Sequence, residues 1–194
     1  LSRPILVTGF GPFEGVADNP SARLACAVDG RRIDGHTVRG VVLDVSYERG
    51  PARAIAVART IDAAFVLGLG VHRRDDRLHV ERVGRNVGSA DRDDVDGRRL
   101  DRLGDGPERV GATLDVEVIA EVLGAERSDD AGRYVCNAWL YRVASALPER
   151  PVGFLHVPPS GLAVDALVRA LSALSARHPP SGSSWSSKSS SFAR

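Results

Sequence analysis

The sequence predicts an α/β protein: a three-layer α/β/α sandwich with a mostly parallel central sheet and helices on both faces. Three observations predict it. Short, nearly continuous apolar runs recur at residues 4–9, 63–70 and 152–158, and each ends in glycine or proline. Such runs suit strands that are buried on both faces. Segments with helical periodicity fall between them, and alternation of this kind is the signature of a layered sheet with crossover helices. Finally, a chain of 194 residues that is 43% hydrophobic and 26% charged is ordinary for a globular domain with one sizeable core.

The elements follow in order. Residues 4–9 read as a first buried strand, followed by a loop rich in glycine, phenylalanine and proline from Gly9 to Asn19. Asn19-Pro20-Ser21 marks a helix start, with Pro20 near the first helical position, and the helix continues through 21–28. Residues 37–45 suit a strand and 48–60 a helix. Ala63 to Gly70 reads as a central strand. The chain then changes character: residues 72–109 are dense in arginine and aspartate, and only 78–83 alternate as a strand or hairpin arm would. A long polar, solvated loop is expected over 88–109, of the kind that often serves as a lid. Helical patterns return at 114–123, at 137–147 and, most regularly, at 162–177. Val152 to Pro158 reads as a strand halted by Pro158-Pro159. The organisation expected is therefore a single domain over 1–178 and a serine-rich tail over 179–194, which has too few apolar residues to bury.

A net charge of +1 gives no electrostatic case for nucleic acid or a membrane surface as the principal partner. No apolar run reaches the length of a membrane span, and no signal segment is read at the start. The two cysteines, Cys26 and Cys136, form no disulfide framework and no CxxC pattern, so neither a metal nor a cofactor is expected and a reducing cytoplasm is. Cys26 lies in a helical run and reads as core packing. Cys136 is different. It ends the extended piece Asp130-Ala131-Gly132-Arg133-Tyr134-Val135 and opens an apolar helix. A thiol at a first helical turn faces the positive end of the dipole, which favours the thiolate. On these residues alone two readings stand: an activated nucleophile, or a small buried hydrophobe.

Several motifs decide between them. Thr8-Gly9-Phe10-Gly11-Pro12-Phe13, followed by Asn19, resembles the N-terminal signature of pyroglutamyl peptidase I, a cysteine peptidase family also called pyrrolidone carboxyl peptidase. Val45-Ser46-Tyr47, then Glu81-Arg82-Val83-Gly84-Arg85-Asn86, then Ala131 to Asn137, then Phe154-Leu155-His156-Val157-Pro158 resemble further family motifs in the same order. The resemblance implies a triad of Glu81, Cys136 and His156: nucleophile, general base and acid, and orienting carboxylate. It also implies a pocket in which Phe10, Phe13 and Tyr134 surround a pyroglutamyl ring, Val135 lines the wall and Asn19 makes a polar contact. Each aromatic also suits plain core packing, Phe10 most of all. The implied substrates are peptides with an N-terminal pyroglutamate, the implied chemistry passes through a thioacyl-enzyme, and a homodimer or homotetramer is the implied assembly.

The sequence departs from the pattern in two places. Many bacterial members carry Gly-Gln-Ala-Gly-Gly-Arg after the central strand, where this chain has Gly70-Val71-His72-Arg73-Arg74. They also carry an arginine about ten residues beyond the glutamate, where this chain has Asp91 with Arg92 beside it. On that ground a catalytically weak relative that binds pyroglutamyl or other lactam peptides competes, and a small thiol amidase on the same fold is a third reading.

Overall fold

The computed structural model describes residues 2–72 and 75–178; the serine-rich tail expected over 179–194 lies outside them. Strand β1 (Ile5–Phe10) leads through the glycine-aromatic loop to helix α1 (Pro20–Val28). The Asn19 side chain caps that helix by accepting from the Ser21 amide, and Pro20 occupies its first turn, as the sequence predicts. Then come β2 (Arg32–Ile33), β3 (His36–Leu43), α2 (Arg49–Thr60) and β4 (Val66–Val71). The arginine-rich region holds β5 (His79–Glu81), β6 (Val83–Arg85) and β7 (Arg109–Gly111). The chain closes with α3 (Val116–Leu123), β8 (Glu126–Ser128), α4 (Val135–Ala146), β9 (Val152–Val157) and α5 (Val164–Arg177).

Seven strands form one sheet in the order β2-β3-β1-β4-β9-β5-β8, while β6 and β7 pair separately. The β1–β3, β1–β4, β4–β9 and β5–β8 pairs are parallel, and β2–β3 and β5–β9 are antiparallel. Side-chain alternation sorts the core into two layers. Ile5, Val7, Leu67, Leu69, Leu155 and Val157 pack with α1, α3 and α5 on one face. Leu6, Phe10, Val66, Val152 and Phe154 pack with α2 and α4 on the other. This is the expected three-layer arrangement with a mostly parallel sheet.

The α4 layer depends on two glycines. Gly68 and Gly70 stand on β4 facing α4. A Cβ on Gly68 would lie 2.5 Å from Phe154 Cδ2 and 2.7 Å from Trp139 Cζ3. One on Gly70 would lie 2.7 Å from the sulfur of Cys136 and 2.8 Å from Phe154 Cζ. The missing side chains let α4 settle onto the strand, with the fully buried Trp139 over Gly68 and Cys136 over Gly70.

Two sequence expectations need correction or completion. Cys26 is exposed, not packed in the core. The helix is phased by Leu24, Ala25 and Val28, which are buried, and that rotation leaves position 26 facing solvent. The 88–109 segment is pinned along its length. Asp94 accepts from the Tyr47, Asp96 and Arg98 amides, and Val95 donates to the Val45 carbonyl. Asn86 binds the Leu103 and Gly104 amides and the Gly104 and Gly106 carbonyls, and Leu103 is buried in the α4 layer. Polar side chains and backbone amides hold most of this loop, with Leu100 and Leu103 as its apolar anchors, which is why hydrophobic patterning gives it no order.

Gly68→Ala should lower stability by about 1–3 kcal/mol, the usual range for overpacking a tight core. Urea unfolding should show a lower midpoint at an unchanged m-value. A midpoint equal to wild type would show that α4 has slack above β4.

Candidate active site

The site lies on the α4 side of the sheet, at the C-terminal ends of β1, β4 and β9, where open α/β sheets gather their reactive groups. In β4–β9 register, Gly70 stands beside His156. Cys136 sits over Gly70 in the first turn of α4. The antiparallel β5–β9 pairing sets Glu81 opposite Phe154 and His79 opposite His156. Glu81 and His156 thus project on the same face, two positions apart along β9. The Nδ1 of His156 and Oε1 of Glu81 are 2.7 Å apart, with Glu81 1% and His156 5% exposed. A carboxylate only accepts, so His156 donates through Nδ1 and its Nε2 is the basic nitrogen. Glu81 Oε2 is buried without a hydrogen-bond partner among the described residues, so that one bond is the carboxylate's principal compensation for burial.

A cavity of about 210 Å³ opens over this group and is lined by Phe10, Phe13, Asn19, Tyr134, Val135, Cys136 and His156. Those are seven of the eight site residues expected from sequence. The eighth, Glu81, stands behind His156 and outside the lining. The Tyr134 ring is 6.5 Å from that of Phe13 and meets Tyr47 edge-on at 5.6 Å. Its hydroxyl donates to the Asp93 carbonyl at 2.7 Å, which fixes the ring against the loop. Burial pushes the Tyr134 phenol up to about 12, so it stays neutral. Asn19 is largely committed to the scaffold. Its Oδ1 accepts from the Ser21 amide and hydroxyl, and its Nδ2 donates to the Gly11 carbonyl at 3.0 Å. One amide hydrogen remains for the cavity.

The sequence missed three contributors. Arg92 lines the cavity, with its guanidinium carbon 4.3 Å from the Tyr134 ring centre and 5.2 Å from that of Phe13. It is the neighbour of the position at which the resemblance leads one to look. Asn137 is fully buried and ties α4 to the strand that follows Glu81: it accepts from the Arg85 amide and donates to the Arg85 and Val87 carbonyls, each at 2.8 Å. Gly70 gives the thiol its seat. The signal for Gly70 was available, since a glycine inside an apolar strand marks a close approach.

The thiol itself differs from the expectation. Helix position alone favours a thiolate, but burial pushes Cys136 up to about 12, with the negative charge of Glu81 adding to the rise. The Arg92 charge and the Cys136 backbone N–H oppose it and are outweighed. Cys136 is partly exposed as a residue, yet its sulfur is seated over Gly70, and burial there removes water from the charge. The resting group is therefore a thiol. His72, also on the wall, is lowered by burial and stays neutral; its Nε2 donates to the Arg77 carbonyl at 2.8 Å.

A family model described as pyroglutamyl peptidase matches residues 3–166. The chain belongs to the pyroglutamyl peptidase family. Family relatives include the pyrrolidone-carboxylate peptidase of Halalkalibacterium halodurans, 34% identical over 170 residues that cover 80% of this chain and 84% of that protein. The pyrrolidone-carboxylate peptidase of Mycobacterium marinum is 34% identical over 172 residues, covering 79% and 76%. The solved pyrrolidone carboxyl peptidase of Thermococcus litoralis superposes with a TM-score of 0.81 at 26% identity, covering 91% of this chain and 93% of that one. Among the described residues no helix is long and apolar enough to cross a membrane.

The raised thiol predicts a pH profile. In a Cys26→Ser background, which removes the exposed sulfur, alkylation of substrate-free Cys136 by iodoacetamide should be slow at pH 7. Its rate should still be climbing at pH 10, since the thiolate fraction grows up to the pKa. A rate that is already flat between pH 6 and 8 would contradict a neutral resting thiol.

Proposed function

We propose that this chain is a cysteine omega-peptidase that hydrolyses the amide bond after an N-terminal pyroglutamyl residue of a peptide. The observation that carries the reading is the 2.7 Å bond that aims His156 into the cavity beside the Cys136 thiol. Membership of the pyroglutamyl peptidase family supports the substrate class. The cysteine usage suits a reducing cytoplasm.

The geometry supports a role for each residue. His156 Nε2 takes the Cys136 proton as the sulfur attacks the scissile carbonyl carbon. Coupling the two events avoids forming a buried thiolate in the free enzyme. The positive imidazolium that results is stabilised by Glu81, whose charge becomes fully compensated at that moment. The tetrahedral oxyanion lies at the start of α4, where no side chain caps the helix and the first amides are free of intrahelical bonds. Arg92 adds positive charge on the same wall. His156 then gives its proton to the leaving amine. The thioester left on Cys136 is hydrolysed by a water that His156 deprotonates, which releases pyroglutamate and restores the thiol.

Specificity follows from the lining. A pyroglutamyl ring is flat, compact and uncharged, and stacks among Phe10, Phe13, Tyr134 and Val135. Its lactam groups bond to backbone and to the remaining Asn19 amide hydrogen. A prolyl residue keeps the ring but brings an ammonium and lacks the lactam oxygen. Leaving the groups built for that oxygen unpaired costs a large factor in discrimination.

The test is kcat/KM on pyroglutamyl, prolyl, glutamyl and glutaminyl fluorogenic amides, with Cys136→Ser as the blank. The pyroglutamyl amide should exceed the others by at least roughly 10²-fold, the scale on which pockets with unpaired polar groups discriminate. Comparable values for the prolyl amide would replace this reading with a general thiol aminopeptidase. No Cys136-dependent turnover would leave a lactam-binding protein.

A further inference from the structure

Behind the cavity wall, and reaching it through His72, lies a second cluster that the peptidase chemistry does not use. His72 follows β4, and His79 is opposite His156 in the β5–β9 register, so three imidazoles line up on one face of the sheet. The His72 and His79 rings meet edge-on at 4.6 Å, and the His72 and His156 rings at 5.7 Å. Asp75 closes the group from the loop between β4 and β5, with its two oxygens 3.0 and 3.3 Å from His79 Nε2. One ligand atom from each of His72, Asp75 and His79 lies within 4.8 Å of the other two.

We propose that His72, Asp75 and His79 form a binding site for a zinc-class divalent cation at the edge of the catalytic cavity. Cysteine spacing gives no sign of such a site, because it uses no cysteine. Two neutral imidazoles and a carboxylate are a donor set suited to zinc, cobalt or nickel, with water completing the coordination. Ligand bonds of about 2.0–2.2 Å place tetrahedral donors roughly 3.4 Å apart, so no gap has to close by more than roughly 1.4 Å. The Asp75 side chain is 31% exposed and stands on the loop between β4 and β5, not on a strand.

The surroundings already orient the ligands. The bond from His72 Nε2 to the Arg77 carbonyl fixes the orientation of that ring. Behind His79, Glu126 Oε2 lies 4.0 Å from Nδ1, and Glu126 is itself paired with Arg77. When the metal takes Nε2, the His79 proton moves to Nδ1 and faces that carboxylate, which would have to come closer to accept it. A loop staple would need only the His79–Asp75 bond, whereas a metal site also accounts for the second imidazole packed against them.

The cation would also inhibit. It would sit one ring from His156 and oppose the positive charge that forms there in catalysis. This coupling rests on the peptidase reading, but the binding does not.

The experiment therefore starts with untagged Cys26→Ser/Cys136→Ser protein, which has no thiol, titrated with Co2+ by visible absorption and with Zn2+ by calorimetry. One equivalent should bind. Asp75→Asn and His79→Gln should each weaken binding by roughly tenfold or more. Asp75→Asn is confined to the loop, so it keeps the test valid if the strand substitution unfolds the protein, which circular dichroism would reveal. No binding, or binding unchanged by Asp75→Asn, overturns the site. In the wild-type enzyme, Zn2+ should inhibit, and Asp75→Asn should raise the half-inhibiting concentration by the factor seen in binding. Unchanged inhibition despite weakened binding would assign it to the Cys136 thiol and overturn the coupling.

Discussion

The site depends on how closely α4 can approach β4. Gly68 and Gly70 remove two side chains from the face on which the helix lands, and Trp139, Phe154 and the Cys136 sulfur occupy the space. Register does the rest. Gly70 is beside His156 on β9, so a thiol seated on Gly70 is seated next to the imidazole. Asn137, one residue along the helix, anchors the strand that leaves Glu81. Cys136, His156 and Glu81, the proposed nucleophile, base and orienting carboxylate, are thus brought together by backbone contacts and missing side chains.

The same closeness sets the electrostatics. Glu81 and His156 share one short bond in a buried place, and the sulfur beside them is squeezed out of water. A thiolate there would face both desolvation and the Glu81 charge, so the resting site keeps its proton on sulfur. In the proposed reaction the balance changes when His156 becomes positive, because the same burial then strengthens its attraction to Glu81 and to the developing negative charge. Burial that looks unfavourable to a cysteine nucleophile in isolation is favourable to the charge-separated state that follows.

Much of this was legible in the sequence. Continuous apolar strands, the Asn19-Pro20 cap and the glycine-aromatic loop gave the layers and the main helices. The ordered motifs gave the residues the cavity gathers. What escaped has a common cause, which is that it is settled by tertiary contact. Strands β6, β7 and β8 are three residues each and lack an apolar alternation, so pairing alone defines them. The antiparallel β5–β9 contact, which places Glu81 and His79, is invisible to a periodicity count. Cys26 was misread because one helical turn of apolar residues does not fix the phase of a single position. The thiol was misread because a helix dipole is local and readable, whereas desolvation depends on what the rest of the chain brings to the sulfur.

The most direct measurement of this account is kcat for Gly70→Ala set against kcat for Gly68→Ala. Both crowd Phe154, but only the first puts a methyl where the Cys136 sulfur sits. The sulfur can swing aside about one bond, so Gly70→Ala should remain folded while losing turnover by on the order of 10²-fold, the scale for an ångström of misplacement. Gly68→Ala should lose stability and keep most of its turnover. Equal kcat values for the two variants would contradict the claim that Gly70 seats the nucleophile.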